Sequence, residues 1–573
     1  MKDNKTPRTG IIDIKKALSF VTMLLFMILT YCVILNIYGV KPLYENIDDY
    51  FLKMISSGEI STVPEAHLRY ISIVSGVLLK LLYTIFPGAS WYGIWLLSLY
   101  MAAFSSILYA LADLFESFWK KAAIIALFIA ILAGMFWVPL IFVQYTTVTI
   151  VLAGAAGALL YTKHYILGTI LFWLSMSVRI KGALLVLPLI VIVFTVDLFR
   201  EEKKRDVIRH AAVLFAGCFV VFSLEMIFNS SYTWRTYNSY DTHRQNMTDY
   251  NGYPDYEEYA DIYEKYNVSQ NSYNALTQRY LLLLDDNLTK DFMEELDSIN
   301  PKHDKSRGFK RIIGDFYERS VTSYIDRPLN LLVYTLYFLT FLSALFLKRK
   351  DIITDIIALF AARMIMWSYL LYIDRCPTRI SQGLYIMEAF MLIAALLKII
   401  SCVKGKKTIP LVLLSVILPL AVTIKWGYPY SKSYSDYSKE RQTFIMAYED
   451  VRLYINDHPD SFFFLDTNSF LYFSENLVTK NLDSKGNWTY LGCWIANTPW
   501  TDRLLKYNGF SSWETVPFEK DDTYYIFLNS DSTGYDYLDQ YYSDKYPNAH
   551  MIAKDTITTE NGLEYLITKL EIQ

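Results

Sequence analysis

An acidic cluster follows the first long apolar run of the sequence. Glu45, Asp48 and Asp49 lie within five residues, in the order Glu-Asn-Ile-Asp-Asp-Tyr-Phe, and Glu45 is a candidate for a substrate contact. Two adjacent carboxylates repel each other, so the pKa of at least one rises unless a cation or a donor balances the pair. Such a pair suits a general base or a ligand of a divalent cation such as Mg²⁺ or Mn²⁺. The alternative is that Asp48 and Asp49 cap a short helix over 50–57 and face water.

Basic residues recur at two turns between apolar runs. Arg179 and Lys181 flank one turn, and Arg375 and Arg379 flank another that contains Cys-Pro-Thr. Arginine suits bidentate contacts with phosphate, and lysine suits point-charge contacts. We therefore expect candidates for phosphate binding at these turns. The alternative for each side chain is that it extends to the lipid headgroups.

Further polar residues are candidates for substrate contacts near the acidic pair. His67 and Arg69 open the next apolar segment, and His67 could donate a hydrogen bond or bind a metal. Glu225, near the end of a span, could line one cavity with Arg235 and Arg244 from the following loop, and ordinary loop solvation is the alternative. Trp91 and Tyr92 begin a span and are expected to be interface anchors.

The composition is that of a membrane protein. Of the 573 residues 53% are hydrophobic and only 19% are charged, whereas roughly a quarter of a soluble domain is charged. Aromatic residues make up 16%, as is typical of bilayer interfaces and sugar-binding surfaces. A net charge of −3 gives no basic excess for nucleic acid, and five cysteines imply no disulfide framework. No P-loop, dinucleotide fingerprint, serine-hydrolase elbow or zinc-protease helix is present.

Apolar runs predict about eleven membrane-spanning helices. At about 1.5 Å per residue, a run of about 20 residues crosses the roughly 30 Å of hydrocarbon. The predicted spans are 17–40, 91–112, 122–140, 144–162, 164–180, 182–198, 211–228, 329–347, 352–373, 380–397 and 408–426. The segment 68–86 is left out because its polar residues, Arg69 and Lys80 among them, recur every three or four positions. We expect that segment to lie in the membrane interface.

Lysine and arginine positions predict the orientation. With 68–86 in the interface, the main basic clusters fall on one side, which the positive-inside rule makes cytoplasmic. These residues are Lys15, Lys16, Lys120, Lys121, Lys163, Arg200, Lys203, Lys204, Arg205, Lys348, Arg349, Lys350, Lys404, Lys406 and Lys407. The amino terminus is then cytoplasmic and the carboxyl terminus extracytoplasmic. Within the bilayer, Arg363 and Glu388 are expected to pair at similar depth.

The predicted fold class is a mainly α, polytopic membrane protein with an extracytoplasmic α/β carboxy-terminal domain. Residues 1–427 form the transmembrane domain with outer loops at 41–90 and 229–328, and 428–573 form the α/β domain. Alternating and apolar patterns within that domain predict a series of elements. They are a helix near 439–456, strands at 462–465 and 524–528, a helix near 535–542, and strands near Met551 and Tyr565.

The order of these features resembles the GT-C type glycosyltransferases, polytopic enzymes that use polyprenyl-phosphate-linked sugars on the extracytoplasmic side. The resemblance rests on the acidic pair, the turn Ser-Ser-Gly-Glu at 56–59, the Pro-containing segment 64–69 and the basic-Gly turn 179–182. It covers about the first 230 residues. It is strongest to a bacterial branch beginning N-x-D-D-Y-F and more distant to the aminoarabinose and protein-mannosyl transferases. In two departures, the pair lies closer to the Ser-Gly turn, and His67-Leu68 replaces Pro-Pro-Leu or Lys-Pro.

The resemblance implies an inverting glycosyltransferase of the bacterial plasma membrane. Its partners would be a polyprenyl-phosphate sugar donor, a glycan or lipid acceptor such as a surface polysaccharide, glycolipid or wall polymer, and membrane lipids. Asp48 or Asp49 would deprotonate the acceptor hydroxyl or hold a divalent cation, and no other cofactor is implied. Arg179 and Lys181 would receive the departing lipid phosphate. The alternatives are a transporter or flippase of lipid-linked glycans and a noncatalytic protein of glycan assembly.

Overall fold

The computed structural model describes residues 14–300, 308–323, 326–402, 409–470, 476–477, 479, 486–528 and 533–572. The predicted basic residues Lys404, Lys406 and Lys407 lie outside the described residues.

Contacts divide the chain into two compact units. The first unit comprises Met1–Pro42, Trp95–Phe219 and Gly308–Ser435. The second unit comprises Leu43–Ile94, Val220–Arg307 and Asp436–Gln573.

Nine helices among the described residues are long and apolar enough to cross a membrane, judged by length and composition. They are Ala17–Tyr38, Trp91–Asp113, Phe118–Phe136, Ile180–Arg200, Lys204–Phe228, Arg327–Phe346, Lys350–Tyr372, Thr378–Ser401 and Ile409–Asp457. The other two predicted spans are shorter apolar helices, Tyr145–Tyr161 and Tyr165–Val178. The segment expected in the interface contains Ile73–Ile85, whose 13 residues fall short of the about 20 that a span needs. The chain has the helices of a multi-pass membrane protein, as its composition predicts.

Helix Tyr145–Tyr161 is the centre of the first unit, because every one of its residues is buried. Small residues let neighbouring helices approach it closely. A Cβ added at Gly154 would lie 2.6 Å from Cβ of Met387 in helix Thr378–Ser401. The shorter helices Val138–Ile141 and Phe309–Tyr317 belong to the same unit.

The predicted pairing of Arg363 with Glu388 is confirmed. The guanidinium of Arg363 donates to the Glu388 carboxylate, and both side chains are fully buried. Arg363 also donates to Oδ1 of Asn330 at 2.9 Å, and Nε1 of Trp367 donates to Glu388 at 3.2 Å. A buried charge is tolerated when it is paired and hydrogen-bonded in this way. The network joins three consecutive apolar helices of the first unit.

A five-stranded sheet lies in the second unit. In spatial order its strands are Trp488–Tyr490, Phe462–Leu465, Thr523–Leu528, Glu564–Ile572 and Ala549–Thr558. The first three are parallel, with Phe464 opposite both Thr489 and Tyr525, and the last two pair antiparallel. The four predicted strands are confirmed. Trp488–Tyr490 was missed because three residues are too few to show a period.

Shorter helices surround the sheet or precede it in the chain of the second unit. They are Ile47–Ser57, Ile73–Ile85, Tyr232–Gln245, Ala260–Lys265, Gln270–Thr277, Lys290–Ile299, Pro499–Asn508, Val516–Glu519 and Thr533–Lys545. The long helix Tyr428–Asp457 contributes its residues from Asp436 onward. The predicted helices near 439–456 and 535–542 are confirmed as parts of Tyr428–Asp457 and Thr533–Lys545.

Segments predicted as outer loops supply part of the second unit's core. Tyr263, Phe292 and the run Leu281–Leu284 belong to one buried cluster with Phe464 of the sheet and Trp513. Apolar side chains in these segments are removed from water by packing with the carboxy-terminal sheet. The structure therefore groups these loops with the tail, whereas the sequence analysis assigned them to the transmembrane domain.

A buried ion triad holds the helix that carries the acidic pair. The carboxylate of Glu59 accepts from Nζ of Lys53 at 2.8 Å and from Nη2 of Arg452. All three side chains are at most 4% exposed. Burial raises the pKa of Glu59, but the charges of Arg452 and Lys53 outweigh burial, so its pKa lies below the ordinary value. Glu59 stays ionised and ties Ile47–Ser57 to the helix of Arg452.

The first prediction concerns the stability of this triad. Glu59→Gln should lower the free energy of unfolding by about 3–5 kcal/mol, because Lys53 and Arg452 would remain buried without their carboxylate. The measurement is denaturant unfolding of the full chain in detergent. Glu295→Gln is the control, since it breaks an exposed pair with Lys265 and should cost at most about 1 kcal/mol. Equal losses of unfolding free energy in Glu59→Gln and Glu295→Gln would contradict a stabilising role for the triad.

The second prediction is a pH dependence. The pKa of Glu59 in the folded chain lies below the unfolded value of about 4.3, so the unfolded chain binds more protons as the pH falls. The triad's stabilisation is therefore present above about pH 4.3 and is lost as the pH falls through the folded pKa. The stability gap between wild type and Glu59→Gln should be constant near neutrality and narrow below about pH 4. If the difference in unfolding free energy between wild type and Glu59→Gln persists below about pH 4, the ionised Glu59 is not its cause.

Candidate active site

The acidic pair lies in the first turn of the short helix Ile47–Ser57. Asn46 is extended, and its side chain accepts from the backbone N–H of Asp49 at 3.2 Å, which makes it the N-cap. Carboxylates in a first turn are also favoured by the helix dipole. Gly58 ends the helix at φ +85°, where a Cβ would lie 2.7 Å from the carbonyl carbon of Val63. The alternative in which Asp48 and Asp49 cap a helix over 50–57 is wrong, because Asn46 does so.

The two carboxylates have different surroundings. Asp48 is partly exposed, and its Oδ1 accepts from Nε1 of Trp494 at 2.9 Å. Asp49 is fully buried, and its Oδ1 accepts from the hydroxyl of Tyr92 at 2.9 Å. Adjacent residues of an α-helix point about 100° apart. The buried Tyr92 is therefore a partner of Asp49, and its expected role as an interface anchor is wrong.

The two carboxylates reach different partners, Trp494 and Tyr92. Among the described residues, no three His, Cys, Asp or Glu side chains come together as ligands of one ion. A magnesium ion commonly uses one or two carboxylates and completes its shell with water and substrate phosphate, so a divalent cation on the pair stays a prediction.

Aromatic rings hold Trp494 in place beside Asp48. The indole is only 4% exposed and meets Phe51 and Tyr70 edge-on, at centroid distances of 6.0 and 5.3 Å. Edge-on contacts of this kind are favourable, so they restrict the indole to one orientation. The donor that positions the Asp48 carboxylate is thus itself fixed.

An arginine cluster adjoins this aromatic group. The buried carboxylate of Asp241 accepts from Nε of Arg69 at 2.5 Å and from Nε and Nη2 of Arg244 at 2.7 and 2.6 Å. Burial lowers the pKa of both guanidinium groups, but the charge of Asp241 outweighs burial and raises each pKa above its ordinary value. Both arginines stay charged, so the cluster carries one net positive charge. Arg69 also lies over the ring of Tyr70, at 5.7 Å from its centroid.

A polar cavity of about 240 Å³ opens beside Arg69. His67 stacks on Trp234 at 4.5 Å, and its Nε2 donates to the carbonyl of Phe228 at 3.1 Å. Glu225 accepts from the N–H of Ile73 at 2.9 Å. The remaining polar side chains of the lining belong to Asn229 and Asn238. The cavity thus combines a cation, a carboxylate, two amides and aromatic rings.

The predicted basic turns meet in the first unit. Arg179 donates to the hydroxyl of Thr146 and lies 5.0 Å from the ring centroid of Tyr145. The backbone carbonyl of Arg379 accepts from the hydroxyl of Thr147 at 2.8 Å. Both turns therefore adjoin the N-terminus of helix Tyr145–Tyr161. Its amide groups and dipole favour anions at that end.

Gln144 caps this helix from the same turn. Its Oε1 accepts from the N–H groups of Thr146 and Thr147 at 2.6 and 3.1 Å. Lys181 is exposed in the first turn of the next helix, and Arg375 is partly exposed in the connection before Thr378–Ser401. The two basic turns thus supply four cations to one unit.

Some residues of the candidate site were predicted from the sequence, and others were missed. Arg69, His67 and Glu225 line one cavity of the second unit. Arg244 meets Arg69 only through Asp241, and neither Arg244 nor the exposed Arg235 is part of the cavity lining. The backbone carbonyl of Glu45 accepts from Arg441 at 2.6 Å. The missed residues are Asp241, Trp234 and Trp494. Asp241 could have been found, since it stands three residues before Arg244 on one helix.

The candidate site residues are divided between the two units. The second unit contains Glu45, Asp48, Asp49, His67, Arg69, Arg235 and Arg244. The first unit contains Arg179, Lys181, Arg375 and Arg379. Comparisons of the chain with protein-family models, with curated proteins and with solved structures give no match.

Proposed function

We propose that this chain is an inverting membrane glycosyltransferase. It moves a sugar from a polyprenyl-phosphate-linked donor to an extracytoplasmic acceptor, such as a surface polysaccharide, a glycolipid or a wall polymer. The observation that carries the proposal is the setting of Asp48, a partly exposed carboxylate fixed by Trp494 in the unit that holds the arginine cluster. Asp49 fits the role of general base less well, because it is fully buried and bonded to Tyr92.

The proposed step is a single displacement at the anomeric carbon. Trp494 holds one oxygen of Asp48, and the other oxygen takes the proton of the acceptor hydroxyl as that hydroxyl attacks. The bond between the anomeric carbon and the phosphate oxygen breaks, and its electron pair leaves with polyprenyl phosphate. The new glycosidic bond forms on the opposite face of the sugar, so the configuration inverts.

Two sets of cations support the choice of a phosphate leaving group. Arg179 and Arg379 belong to turns beside the N-terminus of helix Tyr145–Tyr161, where backbone dipoles also favour an anion. The cluster of Arg69, Asp241 and Arg244 supplies one further net positive charge. Guanidinium groups suit phosphate because they donate two parallel hydrogen bonds.

The polar cavity supports a carbohydrate rather than an apolar substrate. Asn229, Asn238 and Glu225 provide amide and carboxylate groups, and Arg69 provides a guanidinium donor. Sugar hydroxyls donate and accept at once, so they need this mixture of donors and acceptors. Aromatic faces such as that of Trp234 commonly complete such sites.

The third prediction tests Asp48 as the base. In cells that carry the intact gene, a deletion or a variant, Asp48→Asn should reproduce the deletion's loss of one sugar from the surface glycans. Turnover should fall by about 100- to 10,000-fold, as expected for a missing general base. Asp49→Asn should retain most activity, because the amide oxygen can still accept from Tyr92.

The control for this experiment is Asp261→Asn, which alters an exposed carboxylate in the first turn of another helix of the same unit. Equal abundance in the membrane is checked for every variant. If Asp48→Asn behaves as wild type while the deletion is defective, the carboxylate is structural and the transport or assembly functions replace this proposal.

The fourth prediction concerns Arg69. Arg69→Gln removes the cluster's net positive charge, so KM for a substrate that carries an anionic group should rise about tenfold with little change in kcat. The control is Arg235→Gln, since Arg235 is exposed on helix Tyr232–Gln245. Thermal unfolding of the variant should match that of wild type, which would show that the fold is intact. A fall in kcat at unchanged KM would contradict a binding role.

A further inference from the structure

The first unit contains an apolar groove of about 410 Å³ that the proposed chemistry does not use. Four of the helices that could cross a membrane supply most of its lining, and Leu336 of a fifth closes it. The only polar side chains of the lining, within the described residues, belong to Lys120 and Ser415. The hydroxyl of Ser415 already donates to the carbonyl of Leu411 at 2.8 Å. The groove therefore offers an apolar wall and one cation.

The groove has the length of one membrane leaflet. On one wall it runs from Lys120 to Ile131, and on another from Ile409 to Pro419. At about 1.5 Å per residue these stretches span roughly 15 Å, which is half of the about 30 Å of bilayer hydrocarbon. A single acyl chain of one leaflet matches this depth.

The cation lies at the membrane-surface end of the groove. Lys120 is exposed, and its ammonium nitrogen lies 6.0 Å from the ring centroid of Phe115. The two residues before it, Phe118 and Trp119, are 72% and 79% exposed. Exposed aromatic residues at the start of an apolar helix are typical of the bilayer interface. A phosphate headgroup would thus meet Lys120 while its chain enters the groove.

We propose that this groove binds an acyl chain of an anionic phospholipid, whose phosphate lies against Lys120. The basic clusters of the sequence place Lys120 and Lys121 at the cytoplasmic side. The occupant is therefore a lipid of the cytoplasmic leaflet and is distinct from the polyprenyl-phosphate donor, which is used on the other side. A lysine at an anionic membrane surface contributes about 1 kcal/mol, which corresponds to about fivefold in affinity.

The fifth prediction tests the headgroup contact. The full chain is reconstituted in nanodiscs with equal phosphatidylglycerol and phosphatidylethanolamine, and the retained lipid is identified by native mass spectrometry. Wild type should retain phosphatidylglycerol in preference. Lys120→Gln should reduce that preference about fivefold. Lys121→Gln, which changes the neighbouring lysine outside the lining, should keep it.

A second pair of variants tests the groove itself. Ala123 lines the groove and Ala122 does not. Ala123→Trp should fill the groove and abolish retention of either lipid, whereas Ala122→Trp should not. The proposal is overturned if wild type retains both lipids equally or if the two lysine variants behave alike. If Ala123→Trp does not fold, the lysine pair alone decides.

Discussion

The ionised Glu59, buried between Lys53 and Arg452, is the interaction on which the candidate site depends. It joins a helix of eleven residues to a helix near the other end of the chain. A helix of that length is marginal by itself in water, so its position comes from packing and from this triad. Because Asp48 lies in the same short helix, the position of the helix that carries it depends on charges that take no part in the proposed chemistry.

Much of the fold could be predicted from the sequence because helices that cross a membrane need long apolar runs. Apolar runs of about 20 residues predicted most of the helices, and the charges of Arg363 and Glu388 within two apolar helices predicted their pairing. Contacts that join distant parts of the chain left no such signal. Trp494 was missed because no motif in the sequence around it indicates a contact with the acidic pair. The grouping of the outer loops with the tail was missed because it depends on a shared core, which a run such as Leu281–Leu284 only hints at.

The candidate site shows which parts of a polar arrangement local sequence can reveal. Asn46 at the N-cap and the glycine after the helix follow familiar capping rules, although the sequence analysis considered only Asp48 and Asp49 as caps. The different surroundings of Asp48 and Asp49 could not be predicted, because they depend on whether Trp494 or Tyr92 faces each carboxylate. Asp49 is fully buried and Asp48 is partly exposed, although their adjacent positions in the sequence do not distinguish them.

The contact between Asp48 and Trp494 also has a consequence for biosynthesis. The two residues are 446 positions apart, so Trp494 is synthesised long after Asp48. Contacts of such long separation form late, because the intervening chain must be made and folded first. The carboxylate therefore acquires its orienting donor only after the tail has been synthesised and has joined the second unit. A nascent chain that ends before Trp494 would carry the acidic pair without the indole that orients Asp48.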